Sequence, residues 1–123
     1  MNYRNILLRG TAILKKNNLA NADIDAEFLL SCSLNKTREN ILLNLDEKVN
    51  LFDFKNYINL IYRRRNKEPI SHITKKRFFW KSEFLINNKV LTPRFETELL
   101  VEGILKRYRF SNRLNIIDLG LGS

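Results

Sequence analysis

Between Leu51 and Ile61 the apolar residues Leu51, Phe54, Ile58 and Ile61 stand at offsets of 3, 7 and 10, which lines them along one face of an α-helix. Stripes of this kind occupy the first half of the chain, so it must fold as helices packed on a shared core. Tyr3 to Asn17 carries Ile6, Leu7, Ile13 and Leu14 on one side, with Asn17 and Asn18 at its exit. Asn21 to Ser33 opens with cap formers, places Asp23, Asp25 and Glu27 where the helix dipole favours acids, and continues into Phe28, Leu29 and Leu30. Thr37 caps a short helix to Leu45 with Ile41, Leu42 and Leu45 as its buried stripe. Asn50 caps the fourth helix, which runs into Arg63, Arg64 and Arg65 at its C-terminal dipole and is ended by Pro69.

The pattern then changes. Arg77 to Lys81, with Phe78, Phe79 and Trp80, and Phe84 to Ile86 read as a β-hairpin or two short strands. Helical spacing returns over Glu96 to Tyr108, with Glu96 or Thr97 near the cap, Leu100, Val101, Ile104, Leu105 and Tyr108 on one side, and Gly103 as a weak point. Asn115 to Gly120 has the shape of a buried strand entering a loop. A single strand cannot bury both faces or satisfy its edges, so Leu114 to Ser123 is expected to open a parallel sheet whose remainder is absent.

At 123 residues with 44% hydrophobic content the chain suits one domain, or a small domain with a piece of another, and excludes a disordered chain. One cysteine forms no internal disulfide, so Cys32 is expected as a small core residue in a reducing setting. Charges at Arg4, Arg9, Lys15 and Lys16 interrupt the N-terminal apolar runs, which fits neither a signal segment nor a membrane span. A soluble, cytoplasmic monomer is expected.

The net charge of +9 is concentrated between Arg63 and Lys81, where Arg63, Arg64, Arg65, Lys67, Lys75, Lys76, Arg77 and Lys81 face only Glu68. With the aromatic residues beside it, this segment suits a phosphate backbone or stacked bases, a solvated face over a hydrophobic hairpin, or docking of an acidic partner. His72, the sole histidine, lacks the companions of a metal site, and no nucleophilic triad is present. Thr92 to Glu98 sets Pro93 and Arg94 ahead of Glu96, Thr97 and Glu98. That pattern is open to helix capping or to a functional rim at a domain junction. Asp118-Leu119-Gly120-Leu121-Gly122-Ser123 has glycine spacing that suits either a plain turn or a loop close to a nucleotide-like ligand.

Taken together, Arg63-Arg64-Arg65, Glu68-Pro69-Ile70, His72-Ile73, Phe79-Trp80, Leu91-Thr92-Pro93-Arg94 with Glu96-Thr97-Glu98, Leu100-Val101-Glu102 and Asp118-Leu119-Gly120 resemble the release factor glutamine methyltransferase family of the HemK or PrmC type. The resemblance implies an S-adenosylmethionine-dependent enzyme that methylates the glutamine amide in the Gly-Gly-Gln tip of peptide-chain release factors. The implied fold is mainly α: a helical substrate-recognition bundle (1–70), a β-hairpin linker (71–92) and the first helix and strand of a truncated Rossmann-like α/β methyltransferase domain (93–123).

By position, Asp118, Gly120, Leu121, Gly122 and Ser123 would begin the cofactor loop, and Pro93, Arg94, Glu96, Thr97 and Glu98 would line the active-site rim. The family's catalytic Asn-Pro-Pro-Tyr motif does not occur in these residues. Residues 1–123 alone are therefore expected to be inactive. Phe95, Lys75 and Ser123 depart from the family pattern, which usually has Pro, Gly and Thr at these places. The competing readings are a basic nucleic-acid-binding helical module and a methyltransferase acting on a nucleobase amino group.

Overall fold

The computed structural model describes residues 1–110 and 113–120. The chain divides into two compact units, Met1–Thr74 and Lys75–Ser123.

The first unit holds five helices: α1 (Tyr3–Lys16), α2 (Ala22–Leu34), α3 (Arg38–Leu43), α4 (Leu51–Arg65) and α5 (Ile70–Thr74). Local chemistry sets their starts. The side chains of Asn2, Thr37 and Asn50 accept from the backbone N–H of Asn5, Asn40 and Asp53 at 3.1, 3.2 and 2.8 Å, each satisfying a donor that the first helical turn leaves open. Asn21 precedes α2 without a side-chain cap. Helix α4 ends at Arg65 with Asn66 as its cap, and Pro69 instead stands just ahead of α5, a short helix that the spacing did not signal.

α2 lies at the centre, packed against α1, α3, α4 and α5. The core is Tyr3, Ile6 and Leu14 from α1, Ala22, Ala26, Leu29 and Leu30 from α2, Ile41 from α3, Tyr57 and Ile61 from α4 and Ile73 from α5. Tyr57 takes the inward place on α4, while Leu51, expected in the stripe, is 68% exposed. Leu42 and Phe28 are exposed for the same reason: six residues of α3 and the partners around α2 cover only part of each apolar stripe. Cys32 also faces outward, because the inward positions of that turn belong to Leu29, Leu30 and Ser33.

Polar ties close the bundle. Arg64 Nε donates to Asp25 Oδ2 at 2.7 Å and Arg64 Nη1 donates to the Glu68 carbonyl at 3.0 Å, joining α2 to α4 and to the turn before α5. Arg63 grips Glu68, with Nε to Oε2 at 2.8 Å. Lys36 bridges Tyr3 and Glu47 at 2.9 and 2.7 Å.

These contacts give a pH profile with two limbs. The hydrogen bonds from Arg63 and Lys36 hold the Glu68 and Glu47 carboxyls below their ordinary value of 4.5. The unfolded chain then binds more protons in the window beneath 4.5, so stability falls as pH drops through it. Burial pushes the Tyr57 phenol well above its ordinary value of 10.0, so above pH 10 the unfolded chain is the one to lose the proton and stability falls again. The alkaline limb is expected to steepen by at most about 1.4 kcal/mol per pH unit from Tyr57, and Tyr57→Phe should flatten it. Urea midpoints measured from pH 3 to 11 check both limbs. An alkaline limb that Tyr57→Phe leaves unchanged would contradict the assignment.

The second unit contains the antiparallel hairpin β1 (Lys76–Phe79) and β2 (Ser82–Leu85), followed by α6 (Phe95–Arg107). Its register pairs Lys76 with Leu85 and Phe79 with Ser82, leaving Trp80 and Lys81 as a two-residue loop. Phe79 and Phe84 meet edge to face at 6.1 Å, and Ile86 N–H donates to the Lys75 carbonyl at 3.0 Å at the open end. Two departures from glycine-like chemistry stand at the hairpin's ends. Lys75 has φ 59 and Trp80 has φ 55, left-handed values that cost a side chain-bearing residue about 1–2 kcal/mol. Lys75 is the position where the family resemblance implies glycine, and a left-handed φ is the backbone state that glycine adopts without strain.

Helix α6 begins at Phe95 with Arg94 as its cap residue and no side-chain cap bond, earlier than the expected start at Glu96 or Thr97. It buries none of its residues; Leu100, Ile104, Leu105 and Tyr108 are all exposed. The run expected as a strand, Asn115 to Gly120, makes no ladder. Residues 113–118 have no regular structure, and Ile116 and Ile117 are 68% and 84% exposed. An apolar strand forms only by pairing with a neighbouring edge, and neither β1 nor β2 pairs with this run. The described residues are therefore mainly helical, with one small two-stranded antiparallel sheet. No helix among the described residues is long and apolar enough to cross a membrane.

Candidate cofactor loop and junction site

The residues expected in the cofactor loop and the active-site rim lie in the second unit, in two separate stretches. Pro93 is half-buried in the irregular segment before α6, and Arg94 is exposed at the helix entrance. Glu96, Thr97 and Glu98 form the first turn of α6, where their acids meet the positive end of the helix dipole. Glu96 and Thr97 face solvent. Glu98 is half-buried and has a definite partner: its Oε1 accepts the backbone N–H of Trp80 at 2.8 Å. Spacing alone could not have found this bond, because the two residues are 18 positions apart on different kinds of element.

Asp118 is exposed and followed by a turn at Leu119 and Gly120. Gly120 has φ 82, and a Cβ built there would meet nothing within 4 Å. The turn thus combines a backbone that only glycine adopts without strain with open space beside it, and both properties suit close approach of a ligand. Leu121, Gly122 and Ser123, the rest of the expected loop, lie outside the described residues.

An open groove of about 520 Å³ runs along α6, lined chiefly by Trp80, Ile104, Leu105, Tyr108, Leu114 and Ile116, with Lys106 and Arg109 at its border. Its floor is apolar. It offers packing, and the carboxylate that lines it, Glu102, is paired with Lys106 at 2.7 Å.

The basic segment Arg63 to Lys81 does not act as one patch of free charge. Arg63 is held by Glu68, Arg64 by Asp25 and Lys76 by Glu83 at 2.8 Å. Arg65 stacks its guanidinium over Tyr62 at 5.7 Å. Its members are also divided between the two units, Arg63 to Lys67 in the first and Lys75 to Lys81 in the second. His72 sits in α5, partly buried, where its charge interaction helps depress the Glu68 carboxyl. No group of three or more His, Cys, Asp or Glu that could hold a metal occurs among the described residues.

Residues 5–74 match the family model described as PrmC N-terminal domain. The chain is also similar to longer proteins. A release factor glutamine methyltransferase of Buchnera aphidicola subsp. Schizaphis graminum is 39% identical over 112 residues, which is 91% of this chain and 40% of that protein. The release factor glutamine methyltransferase of Clostridium botulinum is 37% identical over 123 residues, 100% of this chain and 44% of that protein. A bifunctional methyltransferase of Rickettsia conorii is 36% identical over 103 residues, 84% of this chain and 20% of that protein. The chain spans less than half the length of each.

Proposed function

Because the chain belongs to the PrmC N-terminal domain family, we propose that it forms the N-terminal part of an S-adenosylmethionine-dependent methyltransferase acting on the Gly-Gly-Gln glutamine of peptide-chain release factors. The observation that carries this reading is the 37% identity over 123 residues, 100% of this chain, to a protein named release factor glutamine methyltransferase. The helical unit serves release-factor recognition. The second unit supplies the hairpin, the helix behind the Pro93 to Glu98 string and the start of the cofactor loop.

In this reading Asp118 and Gly120 hold part of the cofactor, with Leu121, Gly122 and Ser123 continuing the loop. The left-handed Gly120 and the open space beside it fit that task. The bound cofactor supplies an electrophilic methyl group on a sulfonium. An amide nitrogen is a weak nucleophile, since its lone pair is shared with the carbonyl, so catalysis consists of holding it in line and polarising it with fixed acceptors. The groups described in this chain do none of that polarising. Pro93, Arg94, Glu96, Thr97 and Glu98 belong to the rim and its support. The nucleic-acid alternative is weakened by the internal pairing of Arg63, Arg64 and Lys76.

Two results are expected. The 123 residues alone leave release factor unmethylated in the presence of the cofactor and bind that cofactor weakly or not at all; a low-micromolar dissociation constant by calorimetry would contradict this. A chimera carrying these residues in place of the aligned part of the Clostridium botulinum relative methylates the Gly-Gly-Gln glutamine, read by mass spectrometry of the tip peptide. A folded, cofactor-binding chimera that leaves that glutamine unmodified would overturn the assignment.

A further inference from the structure

We propose that Glu98 is a positioning residue, a carboxylate latch that holds the hairpin loop against α6 and so sets the Trp80 indole at the edge of the apolar groove. The inference deepens the reading above and rests on it only for the groove's place beside a methyltransferase junction.

Three features support the latch. The β1–β2 ladder ends at the Phe79 and Ser82 pair, so the Trp80 amide lies beyond the strands and needs a partner elsewhere. Glu98 supplies it at 2.8 Å, a charge-assisted bond of the stronger kind. Trp80 also holds φ 55, a backbone state that tryptophan does not favour by itself and that a fixed acceptor on its N–H maintains.

Packing offers little alternative support. Helix α6 buries no residue and every residue of β2 is exposed, so a polar bond carries weight that a core carries in the bundle. The neighbouring acid shows the contrast. Glu96 shares the same first turn and the same dipole but faces solvent, so the dipole alone does not require a carboxylate turned toward the hairpin. Trp80 then lines the groove with Leu105 and Tyr108.

The experiment uses the whole 123-residue chain and its single tryptophan. Hydrogen exchange by NMR is measured on the Trp80 amide, and indole emission is recorded, for the unsubstituted chain, Glu98→Ala and Glu98→Gln. Glu98→Ala is expected to speed exchange of the Trp80 amide about tenfold or more and to shift indole emission to the red, while the far-UV melting of the bundle stays unchanged. Glu98→Gln keeps an acceptor oxygen and is expected to restore most of the protection and the native emission. A Trp80 amide unprotected in the unsubstituted chain, or protected equally in Glu98→Ala, overturns the latch. Failure of Gln to restore either signal does so as well. None of these outcomes depends on methyl transfer, so they stand apart from the chimera result.

Discussion

Asp25→Ala is expected to destabilise the helical unit by about 3 kcal/mol, a large loss for a bundle of this size. The Asp25 and Arg64 side chains are 10% and 20% exposed and meet at 2.7 Å. Removing the carboxylate leaves a guanidinium in a space that excludes most water, with the Glu68 carbonyl as its remaining partner at 3.0 Å. The penalty comes mainly from that stranded charge and less from the lost attraction. The paired replacement Asp25→Leu with Arg64→Met is therefore expected to recover most of the loss, since apolar groups of similar size often substitute for a buried ion pair without cost. Urea unfolding followed by circular dichroism at constant m-value separates the cases. If the double variant is as unstable as Asp25→Ala, the pair contributes through geometry that apolar packing does not reproduce.

The second large effect is at Gly10. A Cβ placed there would stand 1.9 Å from the Tyr57 hydroxyl oxygen, 2.8 Å from Tyr57 Cζ and 3.2 Å from Ile61 Cδ1. Tyr57 is fully buried, so its ring has nowhere to swing. Glycine in mid-helix ordinarily costs about 1 kcal/mol relative to alanine, and overpacking a core costs about 1–3 kcal/mol. With a contact this short the second effect wins. Gly10→Ala is expected to lose about 1–2 kcal/mol, and Gly10→Leu to prevent assembly of α1 on α4. Gly103 supplies the control: nothing lies within 4 Å of its Cβ position, so Gly103→Ala is expected to stabilise α6. Among the described residues the Tyr57 hydroxyl has no hydrogen-bond partner, so Tyr57→Phe should be neutral or stabilising and should partly rescue Gly10→Ala. A stable Gly10→Ala variant would mean that α1 and α4 can separate freely.

The helices were legible because their signals are local. Thr37 and Asn50 were readable as caps, and both side chains make the cap bond. Ile6, Leu14, Leu29, Leu30, Ile41 and Ile61 were readable as stripe residues, and all are buried. The hairpin announced itself by an aromatic run that breaks the helical period. What escaped depends on distance in the chain. Arg64 reads as a cation suited to a helix C-terminus and Asp25 as an acid suited to an N-terminus; only folding brings these residues, 39 apart, together. Helix α5 is five residues long, too short for a period to emerge. Tyr57 fell outside the chosen stripe because phenol chemistry tolerates either side of an interface. For the site, the sequence pointed to the Pro93 to Glu98 string and to Gly120. It could not distinguish Glu98 from Glu96, since both satisfy the same dipole and only one faces the hairpin.

The most direct test of release-factor recognition by the helical unit is calorimetric titration of this chain into a peptide-chain release factor at 50 and 200 mM salt, beside an RNA oligonucleotide of mixed sequence. The expected result is saturable binding to the release factor that persists at the higher salt. Binding to RNA alone, collapsing by about 10³-fold or more between the two salts, would contradict it and make phosphate recognition the chain's role.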